Sequence, residues 1–296
     1  MNPKQLKLIS DRNTMPSSVK TPLIISASRR TDLPGFFPEE CAETIRKKVQ
    51  RLRTRFLYGV MFWTKQPLPF LTCEELHSLV SQLANPMLQL TITGLGGTSL
   101  EPGIPPCDQV LRVMPSLISL FKNNPERIRW RFDPILHQKN DLHQFKAIAD
   151  RMVEFGIHEC TISFPTYFSL KGNLKRQFDL AGIPEWESDQ QRKFLDQLVK
   201  AATDRGISLK SCAQPQLCET HPKISPASCV DGALFQRLHP DAIPLALPKD
   251  PSQRKHCNCV LSEDIGSYAT HRCRGGCVYC YSKAGGSFSD SERTLD

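Results

Sequence analysis

Pro22-Leu23-Ile24-Ile25-Ser26-Ala27-Ser28 is a short apolar run closing on polar residues, and it feeds directly into Arg29-Arg30-Thr31-Asp32-Leu33-Pro34. Apolar residues on both alternating faces mark a strand buried inside a parallel sheet. The same pattern recurs five times. It appears over 56–62, which ends in Trp63-Thr64-Lys65, and over 87–93, which opens into Gly94-Leu95-Gly96-Gly97-Thr98-Ser99-Leu100-Glu101-Pro102. It returns over 128–134, 159–164 and 207–212, the last carrying Cys212 at its tip. The intervening sequence predicts helices over 38–52, 72–83, 107–121, 142–155 and 187–205. Strands alternating with helices indicate βαβ units and a parallel sheet. No dinucleotide fingerprint favours an open doubly wound sheet. The expected fold is therefore α/β: a TIM-like β/α barrel, complete or partial, with a cysteine-rich C-terminal extension.

The expected organisation is a loose leader over 1–20, the barrel over 21–212, a cysteine-rich, cluster-binding region over 213–284 packed on the barrel rim, and a flexible tail over 285–296. The connection over 165–186 reads as a long irregular insertion across the barrel mouth, since long ordered loops tend to be lids or binding loops. At 296 residues, with 40% hydrophobic and 23% charged residues, the chain has the composition of an ordinary globule and a length one barrel can fill. No apolar run approaches the roughly 20 residues of a membrane span, so no membrane association is expected. A net charge of +8 fits an anionic substrate, a nucleic acid or an acidic partner without choosing among them. The N-terminus shows no signal-peptide pattern, so the reading places the chain in the reducing cytoplasm. Twelve cysteines is a high count there, and five of them fall between Cys257 and Cys280. Metal or cluster binding accounts for that crowding better than packing or disulfides.

Polar residues at the C-terminal ends of strands are where barrel enzymes keep their chemistry. Arg29, Arg30 and Asp32 follow the first strand, and a surface turn with an Arg–Asp pair is the plain alternative. Lys65 ends the second strand. On the fourth, Arg129, Arg131 and Asp133 share one face, because strand side chains alternate at period two. Inward charge is costly unless paired, so Arg131 and Asp133 form either a structural ion pair or a contact to substrate or cofactor. The loop after the third strand, with Thr93, Gly94, Gly96 and Gly97, is no Walker A, since no Gly-Lys-Ser/Thr follows. Its backbone N–H groups can hold a carboxylate, or it is an ordinary βα turn.

The last motif is Cys273-Arg274-Gly275-Gly276-Cys277-Val278-Tyr279-Cys280, a C-x3-C-x2-C spacing with glycines between the first two thiols. A loop of this span can wrap three thiolates round one corner of an iron–sulfur cube, and the glycines give the wrap its permissive backbone. A [4Fe-4S] cube held by three protein ligands keeps one iron open. The competing reading is a closed structural zinc site with Cys257, Cys259 or His271 as fourth ligand, although zinc knuckles favour paired C-x2-C units.

With Tyr279 just before its third cysteine, this spacing resembles the signature of radical S-adenosylmethionine (SAM) enzymes. In that superfamily the open iron chelates SAM, and reduction cleaves SAM to a 5′-deoxyadenosyl radical. The chain as a whole also resembles an uncharacterised radical-SAM-like family of bacteria and archaea, by "ISASRRTD" (25–32), "FWTK" (62–65), "TITG" (91–94) and "WRFDPI" (130–135). To these it adds Cys212-Ala213, the C-x-C pair Cys257 and Cys259, "DIGSY" (264–268) and the closing cysteine motif. The resemblance implies a radical-SAM-like barrel with its cluster motif at the C-terminus, either permuted or with a tail folding back to the rim.

For function the resemblance implies an iron–sulfur enzyme of radical SAM type acting on an unknown substrate. Cys273, Cys277 and Cys280 would hold a [4Fe-4S] cluster, while Thr93, Gly94, Gly96, Gly97 and Tyr279 would seat SAM. Arg29, Arg30, Asp32, Lys65, Arg131 and Asp133 would face SAM or substrate. An electron donor such as a flavodoxin or ferredoxin is implied. Cys212, Cys229, Cys257 and Cys259 would close a second iron–sulfur cluster or a zinc site, with Cys218 an alternative ligand. The family usually reads Cys-Ala-Glu where this chain has Cys212-Ala213-Gln214. The alternative function is a zinc-stabilised nucleic-acid-binding barrel protein without radical chemistry; against it, no basic stripe with interleaved aromatics is present. A third reading, a barrel hydrolase, would use His137 and Asp133 as base and partner.

Overall fold

The computed structural model describes residues 20–166 and 172–280. The expected leader (save residue 20) and the tail over 285–296 lie outside the described residues. The chain is α/β, with eight parallel strands among the described residues: β1 Thr21–Ala27, β2 Arg55–Thr64, β3 Pro86–Thr91, β4 Ile128–Phe132, β5 Glu159–Ile162, β6 Ser208–Ser211, β7 Ile224–Pro226 and β8 Glu263–Asp264. Their hydrogen-bonded order is β7-β6-β5-β4-β3-β2-β1-β8. The last described strand thus lies beside the first described one, pairing Ile25 with Glu263 and Ser26 with Asp264. The edges β7 and β8 are not paired with each other, so the sheet is not closed. Six strands were expected. β7 and β8 are too short for a period-two signal, and each depends on its neighbour strand for its backbone partners.

The α-helices among the described residues are α1 Leu33–Phe36, α2 Pro38–Gln50, α3 Pro69–Thr72, α4 Glu74–Gln82, α5 Cys107–Arg112, α6 Met114–Leu120, α7 Leu142–Glu154, α8 Gly172–Leu180, α9 Ser188–Thr203, α10 Pro215–Thr220 and α11 Gly232–Arg237. Two predicted helices are broken. The 72–83 helix divides at Cys73, which is extended (φ −92°, ψ 115°). The 107–121 helix divides at Val113, because Pro115 in the first turn of α6 lacks the N–H needed to continue the ladder. The stretch expected to be irregular over 165–186 contains α8. At α7, Asp141 and Gln144 make a reciprocal capping box (2.8 and 2.9 Å) that satisfies two otherwise orphaned N–H groups.

Side-chain alternation divides the sheet between two cores. Leu23, Ile25, Ala27, Val60, Phe62, Leu88, Leu90, Trp130, Phe132, Cys160, Ile162 and Leu209 face the apolar stripes of α2, α4, α6, α7 and α9. Ile24, Tyr58, Met61 and Met87 point the other way and are covered by the chain after β7, including Cys229, Val230, Leu234, Phe235 and Cys259. Polar side chains pin that cover: Asn85 Nδ2 donates to Phe235 O (2.9 Å), Gln89 Nε2 to Cys229 O (2.8 Å) and Tyr58 Oη to Ile243 O (2.5 Å). Gly59 permits the contact, since a Cβ there would lie 2.5 Å from the Phe235 ring. A third apolar cluster joins Leu95, Leu100, Ile104, Leu136, Leu174, Phe178 and Ile183 to Cys277 and Tyr279, sealing the cysteine loop at the C-terminal ends of the strands.

Candidate active site

β8 delivers the terminal cysteines to this rim, and the loop after β1 ties them down. Asp264 accepts from Ser28 Oγ (3.2 Å) and Arg29 N (3.1 Å), and pairs with the Arg30 guanidinium (3.6 Å). Arg29 pairs with Asp250 (3.4 Å) and donates to Ser262 Oγ (2.8 Å), while Thr31 Oγ1 donates to His271 O (2.8 Å). Both arginines therefore clamp the returning chain to β1. Asp32 accepts from Gly35 N (3.0 Å) and Lys65 N (2.7 Å), capping α1 and fixing the start of the loop after β2. Burial raises its carboxyl to about 6, against the pull of those hydrogen bonds.

The cysteine loop docks on the loop after β3. Gly103 N donates to Gly275 O (3.0 Å), and Val278 N donates to Leu100 O (2.9 Å). A Cβ on Gly103 would stand 2.4 Å from Arg274 O, so the two backbones meet only because position 103 has no side chain. Within this contact lies a polar cluster centred on Glu101. One carboxylate oxygen accepts from Thr93 Oγ1 (2.7 Å), Lys65 Nζ (2.9 Å) and Tyr279 Oη. Burial alone would raise the Glu101 carboxyl, but Lys65 and the hydrogen bonds from Tyr279 and Thr93 hold it below the usual range. Burial likewise opposes the Lys65 ammonium, and the charges of Glu101 and then Cys277 keep it firmly protonated. Lys65, Thr91, Thr93, Gly94, Gly96 and Glu101 line a small recess beside the cysteine loop.

The sequence quoted Glu101 as part of the glycine-rich loop without giving it a role. An acid eight residues after Thr93 carries no local signal, and its importance comes from Tyr279, 178 positions away.

Cys273, Cys277 and Cys280 stand together, each thiol within electrostatic reach of another. Burial pushes Cys273 to about 11 and Cys277 to about 12, with the Lys65 ammonium pulling Cys277 back. Three thiols on one short loop, with Gly275 N donating to Cys273 Sγ (3.4 Å) and the partly buried Lys65 cation beside Cys277, form a soft donor set with compensation for thiolate charge. These residues fit a three-thiolate iron–sulfur site. The fourth ligands considered for zinc are engaged elsewhere: His271 pairs with Glu40 (3.1 Å) and packs edge-on against Phe37, and Cys257 and Cys259 join another group.

That group gathers Cys212 after β6, Cys229 after β7, and the C-x-C pair. Cys212 and Cys229 have sulfurs 4.0 Å apart, and a string of thiol hydrogen bonds continues through Cys259 to Cys257. The bond from Cys259 draws Cys257 down to about 7 despite partial burial. Arg131 Nη1 donates to Cys229 Sγ (2.9 Å) and Nη2 pairs with Asp133, which also accepts from Ser163 Oγ. Burial alone would depress Arg131, but Cys229 and Asp133 hold it charged. Arg129 pairs with Glu159, which takes Lys210 as well (2.7 Å). Cys218 packs into the helix-side core instead, as do Cys41, Cys73, Cys107 and Cys160. His137 stacks on Trp186 and bonds Glu185 O, leaving Asp133 to Arg131 and Ser163 and the hydrolase reading without its dyad.

Among solved structures, the chain is similar to Streptococcus suis SuiB bound to S-adenosylmethionine, with 15% identity, TM-score 0.32, and coverage of 70% of this chain and 50% of that one. It is also similar to the carboxyl transferase domain of Rhizobium etli pyruvate carboxylase with 3-bromopyruvate, with 12% identity, TM-score 0.27, and coverage of 75% and 44%. The chain spans about half the length of these structures, and likenesses this distant say nothing of activity. No curated protein matches the chain. Among the described residues, no helix is long and apolar enough to cross a membrane. The family described as DUF1848, a domain of unknown function, matches residues 24–282, from within β1 to just past Cys280 and so across both cysteine groups, and the chain belongs to that family.

Proposed function

We propose that the protein is an iron–sulfur enzyme of radical SAM type. The observation that carries this reading is the placement of Cys273, Cys277 and Cys280 on one loop at the C-terminal ends of parallel strands, against the Lys65–Glu101–Tyr279 cluster. Cys273, Cys277 and Cys280 would hold a cluster there with one iron left to SAM, and that cluster, when bound, would supply the electron for reductive cleavage of SAM. The residues around it have separate tasks. Lys65 offsets thiolate charge at Cys277, and Glu101 holds Lys65 and Tyr279 in place through one oxygen. Thr93, Gly94 and Gly96 line the recess beside the loop, where their polar atoms can meet a ligand. Leu100, Ile104, Leu136 and Leu174 keep water from the loop's inner side. On this reading Arg29, Arg30 and Asp32 act by positioning the loop rather than by touching substrate.

The strand order supports the finer fold reading, a TIM-like barrel opened at the β7–β8 seam. It is sequential from β1 to β7 with β8 beside β1, and the stripes of α2, α4, α6, α7 and α9 pack on one face.

The test is anaerobic purification followed by iron and sulfide analysis and EPR of the reduced protein with and without SAM. The expected result is a SAM-perturbed signal and 5′-deoxyadenosine formation with dithionite, both lost in Cys277→Ala. Unchanged 5′-deoxyadenosine formation in that variant, or zinc without sulfide in the wild-type protein, would overturn the reading.

A further inference from the structure

We infer that the surface over Val278 is where the electron enters, and that it docks an acidic one-electron carrier protein of the flavodoxin or ferredoxin kind. The inference rests on the iron–sulfur reading of Cys273, Cys277 and Cys280, and adds the face of the molecule from which that loop is reached. Side chains on the loop divide between two environments. Cys277 and Tyr279 turn inward, 7% and 8% exposed, against Leu136, Leu174 and the Lys65–Glu101 pair. Val278 between them is half-buried, and with Ser99, Leu100, Gln177, Leu180 and Ala181 it lines an open depression of about 440 Å³. Successive Cα atoms are about 3.8 Å apart, so a redox centre seated at Val278 stands one or two residues from Cys277 and Cys280. Electron transfer needs that short separation and no direct contact with the thiols.

The chemistry of the surface fits a protein. Leu180, at the end of α8, is 77% exposed, more than any other large apolar side chain among the described residues. An exposed apolar residue beside a depression and rimmed by charge marks a contact surface. Here the rim is cationic. In α8 and the two turns of chain around the thiols, over 172–181 and 271–280, Lys175, Arg176, Arg272 and Arg274 are exposed against the single exposed carboxylate of Asp179. Arg274 rests over the Phe37 ring, and Glu101 is buried with Lys65, so neither cancels this excess. Arg176 and Leu180 are four residues apart on α8 and therefore share a face.

Four cations against one carboxylate select an acidic partner and steer its approach. A small apolar ligand would make no use of the cations, and a polyanion without apolar surface would leave Leu180 and the depression unfilled. A folded acidic carrier meets both. The step itself is simple: one electron passes from the reduced carrier to the oxidised cluster, no bond is made or broken, and no proton moves. The chain's own contribution is to hold the carrier over Val278, while Leu136, Leu174 and the Lys65–Glu101–Tyr279 cluster keep the other side of the loop for SAM.

The experiment uses the full chain purified without oxygen, with flavodoxin and ferredoxin as probes. It has two readouts: carrier affinity by calorimetry, and the rate at which the reduced carrier bleaches the cluster absorbance with no SAM present. Lys175→Glu/Arg176→Glu and Leu180→Glu, all at exposed positions, should each weaken carrier binding and slow bleaching by about tenfold or more at low salt. Bleaching by dithionite, which needs no docking, should be unchanged. Arg51→Glu/Arg53→Glu makes the same change of charge between α2 and β2, at the opposite ends of the strands, and should leave both readouts as in wild type. Equal losses in that control pair, carrier binding and bleaching that do not differ between wild type and the Lys175, Arg176 and Leu180 variants, or no binding of either carrier to wild type would each overturn the proposal. So would a wild-type dimer that Leu180→Glu disperses, since a second copy of the chain would then occupy the face. Protein without iron and sulfide would remove the iron–sulfur reading and this inference with it, whereas a dithionite-reducible cluster with no sensitivity to these variants would remove the docking surface alone, so the two failures are told apart.

Discussion

Replacing Glu101 tests whether the polar cluster beneath the cysteine loop is a coupled unit. Its side chain is 2% exposed and that of Lys65 is 18% exposed, with the charges 2.9 Å apart. At an effective dielectric of about 20, the raw attraction over that distance is about 6 kcal/mol. Desolvation of both ions cancels much of this, leaving a net coupling of about 2 kcal/mol. Glu101→Gln keeps an oxygen for Thr93 and Tyr279 but leaves the Lys65 ammonium uncompensated, a loss of about 2 kcal/mol; Glu101→Ala strands all three donors and should cost about 3–5 kcal/mol. The assay is anaerobic denaturant unfolding of wild type, Glu101→Gln, Lys65→Met and the double variant, with metal content matched. In Lys65→Met the carboxylate loses its charge partner, so the double variant should be less destabilised than the sum of the singles by about 2 kcal/mol. The pH dependence has a definite sign. The folded Glu101 carboxyl lies below the ordinary value of 4.5, so its contribution is present above that pH and is lost as pH falls through the folded value. Additive single variants, coupled by less than about 0.5 kcal/mol, would refute the reasoning.

Gly103→Ala should force the cysteine loop off its seat, since the new Cβ meets two backbone groups, Arg274 O at 2.4 Å and Gly275 Cα at 3.1 Å. Overpacking of this kind costs about 1–3 kcal/mol, and the SAM-sensitive EPR signal should fall while far-UV circular dichroism is kept; full retention of that signal would show that the loops do not meet as described. His239 is buried against Tyr58, and burial lowers its imidazole below 6.5, with Arg127 adding to the effect and Asp241 opposing it. Its contribution to stability is present above pH 6.5 and lost as pH falls through the lower folded value, so His239→Asn, which keeps an acceptor for Asp241 N, should be less acid-sensitive than wild type. Parallel stability curves for the two proteins between pH 7 and 5 would count against the burial of a neutral imidazole.

The sequence by itself determined what is local. The apolar runs from Pro22 to Ser28 and their five successors specify strands because a buried parallel strand must be apolar on both faces, and the six that carried this pattern are strands. Helix stripes and the Asp141–Gln144 cap are likewise written within a few residues of where they act. β7 and β8 were not legible, because two- and three-residue strands exist through their neighbours' hydrogen bonds. The spacing of Cys273, Cys277 and Cys280 could be read along the chain, but not their seat on Gly103 and Leu100. Arg29 and Arg30 looked like rim chemistry and instead clamp Asp250 and Asp264, a contact across more than 200 residues. Arg131 reaches Cys229 across 98 positions and Glu101 reaches Tyr279 across 178. Periodicity reports which way a side chain points from its own strand; only the folded chain brings the opposing charge or thiol within hydrogen-bond range, and at this rim that long-range pairing sets the chemistry.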